Sequence, residues 1–417
     1  MAVAGTVTAA LRNLAADLVH WRGVLWQSLH LAGGGALYLG MWLVLARFWP
    51  VAVFGHFNFL FAFTAVAGIF FDFGLDVLLT RLVARRGRAE IPVPLLVLKA
   101  VVVLGFLPLA LILGRRFAIP WEELLLFLSG VAVLSVTALF NSVLRGMDRL
   151  DLEGRIGLYQ KLLFTLGTIV GVVLWQGRIL WVGHCYLASH LLALGLTLVR
   201  LRRLRWGGAV PAAAFVPLVK EAWPLWGVAL LALLARRADV FFLELLADDH
   251  AVGLFSAAAR LVEGLTVVGS AYMAAVFPRL VNGAAQGGFG SILVRSVLLL
   301  GLAGLAVGAL GAAGAAPLVR LLYGEAYGEA VPVLQGMLLM LALILCADLL
   351  GQAMMAKSWQ RRYMIMLGLG VAVTALVAWN AIPRFGVTGA LYGYWSREIV
   401  LVLVLAGALG MGRRRAA

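Results

Sequence analysis

The chain has 417 residues, 63% apolar and only 13% charged, where a soluble domain carries about a quarter charged residues. No stretch is polar enough to fold alone in water, which excludes a soluble enzyme or binding domain. The net charge of +15 would suggest nucleic acid in a soluble protein, but basic cytoplasmic loops explain it better in a membrane protein, so no nucleic-acid partner is expected.

Residues 1–28 mix Arg12, Asp17, Trp21 and Arg22 with apolar residues and read as an interfacial amphipathic segment. Twelve spans of the length a bilayer requires follow, at 29–48, 54–79, 94–114, 120–143, 157–176, 179–199, 220–245, 254–277, 292–314, 331–351, 363–381 and 387–410. With the N-terminus in the cytoplasm, the loops after even-numbered spans carry most of the arginines: Arg81, Arg85, Arg86 and Arg88, then Arg145, Arg149 and Arg155, then Arg200, Arg202, Arg203 and Arg205. The opposite loops carry Glu122, Glu123, Asp248, Asp249, Glu325 and Glu329. Missing or inventing one span would invert this alternation downstream, so twelve spans with both termini cytoplasmic are expected.

The organisation follows. An N-lobe of six spans occupies 29–199, a basic linker 200–219, a C-lobe of six spans 220–410, and a basic tail 411–417. A weak repeat relates the halves: Val53-Phe54-Gly55-His56-Phe57 answers Ala251-Val252-Gly253-Leu254-Phe255 at an offset of 198 residues, and Arg81-Leu82 answers Arg279-Leu280 at the same offset. Repeats of this kind accompany transporters whose halves share a pseudo-two-fold axis.

Nucleotide-hydrolysing, zincin and nucleophile-elbow motifs are all missing, and no long loop exists to carry a catalytic face. The two cysteines, Cys185 and Cys346, have no metal-ligand spacing. No cofactor or metal is expected. His184 and His190 read as polar residues facing a neighbouring helix.

Charge within spans is the functional signal, because each ionisable group near the bilayer centre costs about 2.5–3.5 kcal/mol on insertion scales. Arg236, Arg237 and Asp239 lie in the seventh span, where the three-residue spacing lets Arg236 pair with Asp239 and leaves Arg237 alone. Arg260 and Glu263 can pair in the eighth. Arg397 and Glu398, adjacent in the twelfth, point apart and are expected to find partners elsewhere. Asp72 and Asp76 are four apart on one face of the second span, a pattern suited to a proton or sodium ion, with Asp76 near Arg81. Arg236, Arg237, Arg260 and Arg397 are therefore the candidate lining of a cationic cavity, because a guanidinium fork matches two oxygens of an anion. Asp72, Asp76, Asp239 and Glu398 are the candidate coupling groups.

Several ordered blocks carry a resemblance. They are Phe54-Gly55-His56-Phe57, Phe73-Gly74-Leu75, Arg237-Ala238-Asp239-Val240, Val252-Gly253-Leu254-Phe255-Ser256-Ala257-Ala258, Phe277-Pro278-Arg279-Leu280, Leu322-Tyr323-Gly324-Glu325-Ala326-Tyr327 and Ile382-Pro383-Arg384-Phe385-Gly386. In these, from about residue 30 to 410, the chain resembles the Wzx-type polysaccharide and O-antigen flippases of the superfamily that also holds the multidrug-and-toxin extruders. The resemblance implies two six-helix lobes around a central cavity, alternating access and a location in the bacterial inner membrane. It implies a polyprenyl-diphosphate-linked oligosaccharide as substrate, cation coupling, and contact with membrane lipids. It further implies work beside a polysaccharide polymerase or glycosyltransferases in cell-surface polysaccharide biosynthesis, with no enzymatic activity of its own. A cation-coupled small-molecule exporter of the same fold is the alternative. A membrane glycosyltransferase would want a long soluble loop with an acid pair.

Overall fold

A computed structural model describes residues 23–87, 90–175, 177–202, 205–206 and 212–414. The expected interfacial segment, basic linker and tail lie partly outside these residues. The described chain is almost wholly helical. In order it forms α1 (Gly23–Phe48, with a π-helical turn at Leu29–Gly33), α2 (Val51–Asp72) and α3 (Leu75–Arg86). After a two-residue strand β1 (Glu90–Ile91) come α4 (Val93–Arg116), α5 (Trp121–Gly146), α6 (Leu150–Trp175) and α7 (Ile179–Arg200). Strand β2 (Arg205–Trp206), parallel to β1, precedes α8 (Ala212–Leu246), α9 (Asp249–Gln286), α10 (Phe289–Ala313) and the short α11 (Ala315–Leu322). A 3-10 turn at Glu325–Tyr327 leads to α12 (Ala330–Leu339), α13 (Leu341–Ala356), α14 (Gln360–Phe385) and α15 (Val387–Arg414).

Among the described residues, ten helices are long and apolar enough to cross a membrane, and eleven if the bent pair α12/α13 counts as one span. The protein is an all-α, multi-pass membrane protein. The seventh expected span falls in α8, 35 residues long and interrupted by Arg236, Arg237, Asp239 and Glu244. Helix α9, at 38 residues, rises about 57 Å and outruns a hydrocarbon core of about 30 Å. Its start is fixed by Asp248, whose carboxylate accepts from the Ala251 N–H at 2.8 Å.

Two expected spans are broken. The second, read as 54–79, ends at Asp72, because Phe73 and Gly74 take left-handed backbone angles (φ 45° and 71°). Glycine reaches that region without strain, whereas phenylalanine does not. Beyond the break, α3 is a separate amphipathic helix. Leu75, Leu78, Leu79 and Val83 are buried in a core with Leu95, Leu139, Val143 and Ile156, and Arg81 and Arg85 are exposed. The tenth expected span, 331–351, bends by 51° at Met340 between α12 and α13.

The chain divides into two compact units. The first is built from residues up to Met41 and from Ala67 to Trp223; the second from Trp42–Val66 and from Pro224 onward. The first is centred on α3, α5, α6 and α7. In the second, the segment Trp42–Val66 is held by aromatic packing. Trp42 meets Phe54, Phe57 and Phe61 at 5.9, 4.9 and 5.4 Å between ring centres, and Phe59 meets Phe241 of α8 edge-on at 5.5 Å. Gly55 of α2 and Gly253 of α9 mark the closest crossing: a Cβ on Gly55 would overlap the Asp249 carbonyl, and one on Gly253 would overlap that of Val51.

Candidate functional site

The charged residues singled out in the seventh, eighth and twelfth expected spans all lie in the second unit, on α8, α9 and α15. Successive residues on a helix point about 100° apart, so Arg236, Arg237 and Asp239 are aimed differently. Asp239 is 1% exposed and turns to α15, where its Oδ2 accepts from Arg397 Nη1 at 3.0 Å. The spacing-based Arg236–Asp239 pair is thus replaced by an interhelical one. Arg397, 3% exposed, also donates from Nε and Nη2 to Glu398 Oε1, both at 3.0 Å, and from Nη1 to the Ala235 carbonyl. Adjacent residues were expected to point apart, but the long guanidinium stem curls back and reaches its neighbour. The Tyr394 ring packs 4.6 Å from the same guanidinium.

A second group joins α9, α8 and Trp42–Val66. Glu263 takes Arg260 Nη1 at 2.9 Å on Oε2, the expected three-residue pair, and Arg237 Nη1 at 3.0 Å on Oε1. Arg237, left without a partner in its own helix by spacing, thus finds one on the next. Arg260 also donates to Asn58 Oδ1 at 3.2 Å and lies 3.9 Å over the Trp42 ring. One carboxylate therefore serves two arginines. Glu263→Gln should lower thermal stability more than Glu244→Gln, because it leaves two half-buried guanidinium groups under-compensated; a fluorescence-monitored unfolding midpoint checks this.

Between these groups lies a cavity of about 130 Å³ lined by Arg236, Asp239, Glu263, Asp348, Arg397 and Glu398. A larger one, about 610 Å³, shares Arg236, Asp348 and Tyr363 and adds Ser270 and Gln352. Arg236 is exposed and opens on both. Sequence reading missed Asp348; a lone acid within Leu345-Cys346-Ala347-Asp348-Leu349-Leu350 was signal enough. With it, the smaller cavity presents four carboxylates and two arginines, Arg236 and Arg397, while Arg237 and Arg260 pair with Glu263, so the surface expected to be cationic is not.

A family model described as polysaccharide biosynthesis protein matches residues 20–283. The chain belongs to that family. No curated relative matches it. Among solved structures, the chain is similar to an inward-facing multidrug resistance MATE family transporter of the MOP superfamily (15% identity, TM-score 0.72, covering 94% of this chain and 96% of that one). It is equally similar to the lipid II flippase MurJ in an inward closed conformation (13%, 0.72, 93% and 87%). A MOP superfamily transporter from Pyrococcus furiosus, described by the reverse polarity of its binding pocket, matches at 15% identity (0.64, 95% and 95%). At such identities the likeness establishes a shared fold.

The remaining sequence candidates lie in the first unit. Asp72 and Asp76 were read as one carboxylate pair on one helical face. The break at Phe73–Gly74 puts them on separate helices, and each meets a different cation. Asp72 Oδ1 takes Lys99 Nζ at 3.0 Å and the Ser135 hydroxyl at 2.6 Å. Asp76 lies 3.5 Å from Arg145, and Arg145 also holds Glu153 at 2.7 Å. Lys99, 2% exposed in an apolar helix, is the second residue that sequence reading passed over. His190 is a core histidine, its Nδ1 2.7 Å from the Tyr186 carbonyl.

Proposed function

We propose that the protein is a flippase that carries a polyprenyl-diphosphate-linked oligosaccharide from the cytoplasmic to the periplasmic leaflet of the bacterial inner membrane by alternating access. In this reading twelve spans leave both termini in the cytoplasm. The observation that carries it is the 610 Å³ cavity of the second unit, where Arg236, Asp348, Gln352, Ser270 and Tyr363 set polar groups among apolar side chains such as Val228, Met273 and Phe277. The size falls within the range of small-molecule sites. A guanidinium can hold phosphate oxygens through two parallel hydrogen bonds, and a carboxylate, an amide and hydroxyls can bond sugar hydroxyls. Family membership supports the substrate class.

Arg236 is the arginine assigned to the substrate, because Arg237, Arg260 and Arg397 are committed to Glu263, Asp239 and Glu398. Asp239, Glu398 and Asp348, on the smaller cavity, are assigned to cation coupling. Asp72 and Asp76, bound to Lys99 and Arg145, are given no coupling role. A second reading, a cation-coupled small-molecule exporter, draws on the four carboxylates that face two arginines in the smaller cavity.

The test is transport of a fluorescent polyprenyl-diphosphate oligosaccharide in proteoliposomes under imposed proton and sodium gradients. Arg236→Ala should cut transport about tenfold or more, the equivalent of one charge-assisted contact of about 1.5–3 kcal/mol. It should leave the unfolding midpoint nearly unchanged, as for other exposed side chains. Wild-type protein that ignores this lipid but exports a cationic dye would transfer the assignment to the exporter.

A further inference from the structure

The environment of Lys99 is that of a bound monovalent cation. Its ammonium sits where α2 stops and receives oxygens of three kinds. The Phe71 carbonyl accepts at 2.9 Å, Asp72 Oδ1 at 3.0 Å, and the Ser135 hydroxyl oxygen completes the set. Phe71 is in the last turn of α2, where carbonyls have no donor within the helix, and the negative end of the helix dipole points the same way. Ser135 also donates to Asp72, which fixes the carboxylate for its cation. Unwound membrane helices hold sodium through freed backbone carbonyls at helix ends, and here a carboxylate and a hydroxyl add two further oxygens to such a carbonyl.

We propose that Lys99 is a tethered cation occupying a sodium-type site at the α2 break, so that the first unit holds this break without an external ion. The side chain enters from α4, a helix otherwise lined by valine and leucine around it. Burying an ammonium there is costly unless oxygens replace its water, and the three ligands do so. With Lys99 shortened, the same oxygens should accept a free sodium ion, which is small enough to enter the vacated volume. Potassium and choline should serve less well or not at all. The ligands all belong to the first unit, and the cavities assigned to transport are lined by residues of the second.

The experiment is thermal unfolding of full-length Lys99→Ala in detergent, in sodium chloride and in choline chloride at equal ionic strength, beside wild type and Lys99→Ala/Asp72→Asn. The expected result is a sodium-minus-choline midpoint difference larger by about 2–4 °C for Lys99→Ala than for wild type, and no such added difference for the double variant. A sodium-minus-choline difference for Lys99→Ala no larger than that of wild type would overturn the proposal, as would the same added difference in the double variant. Failure of Lys99→Ala to fold in sodium would overturn it too, because sodium is required to take the ammonium's place. None of these readings uses transport, so they stand or fall separately from the flippase assignment.

Discussion

Arg397→Ala should be the most damaging single charge removal in the protein. Its guanidinium compensates Asp239 on one side and Glu398 on the other, and all three side chains are at most 8% exposed. Removing one member of a buried pair costs about 3–5 kcal/mol, because the partner stays buried and charged; here two partners are left. The Asp239 Oδ1 atom already lacks a hydrogen-bond donor, so the carboxylate has no reserve contact. We expect a large fall in folded yield and in the unfolding midpoint, measured by fluorescence-detected size exclusion and heating. The triple variant Arg397→Met/Asp239→Asn/Glu398→Gln should recover much of that loss, since it removes the charges together and keeps the volume. It should remain inactive in transport if these carboxylates couple a cation. Arg397→Lys should fall between, keeping the charge but not the fork that reaches both carboxylates. Wild-type stability in Arg397→Ala would mean that the three groups are not an energetic unit.

The helical pattern was readable because a bilayer leaves few options: apolar runs of about 20 residues must be helices. The breaks were less readable for a specific reason. At Phe73–Gly74 the signal was present, a glycine between two acids at the end of an apolar run, yet hydropathy averages across it. At Met340 no proline or glycine marks the bend, and a residue with good helix propensity gives no warning. The charged site was legible as a set of residues and not as a set of pairs. Spacing found Arg260–Glu263, where both side chains lie on one helix. It failed for Arg236–Asp239, because Arg397 on α15 claims Asp239, and for Arg397–Glu398, because backbone direction says little about where a four-bond guanidinium stem ends. Asp348 and Lys99 escape spacing arguments for another reason: each is alone in its segment, with no charged neighbour at helical spacing. In a membrane a lone charge is the stronger signal, since it must have a partner from another helix. The expected excess of cavity arginine disappears once Asp348 is included and each partner is placed.

Gly55→Val and Gly253→Val should each disable folding of the second unit, and for the same geometric reason. The sequence repeat sets Gly55 against Gly253 and Val51 against Asp249, both at an offset of 198 residues. The structure makes this relation a contact. Gly55 rests on the Asp249 carbonyl and Gly253 on the Val51 carbonyl, so each glycine packs on the start of the other's helix. Such reciprocity is what a two-fold axis through a crossing produces: residue i meets j, and the equivalent of i meets the equivalent of j. At each position the obstacle to a side chain is backbone, which cannot rotate aside. Overpacking a core costs about 1–3 kcal/mol when side chains can adjust, and more when they cannot. Small residues at close crossings are also what drives helix association where no hydrophobic force between helices exists. Separating α2 from α9 here would pull Asn58 and Trp42 away from Arg260, so the loss extends to the charged group deeper in the unit. Alanine should already lower the unfolding midpoint at both positions, and valine should reduce folded yield severely. Gly105→Ala is the control: nothing lies within 4 Å of its Cβ position, so it should be neutral or slightly stabilising through better helix propensity. If Gly55→Val kept its yield while Gly253→Val lost it, the crossing would not be reciprocal, and the repeat would record ancestry without a shared packing constraint.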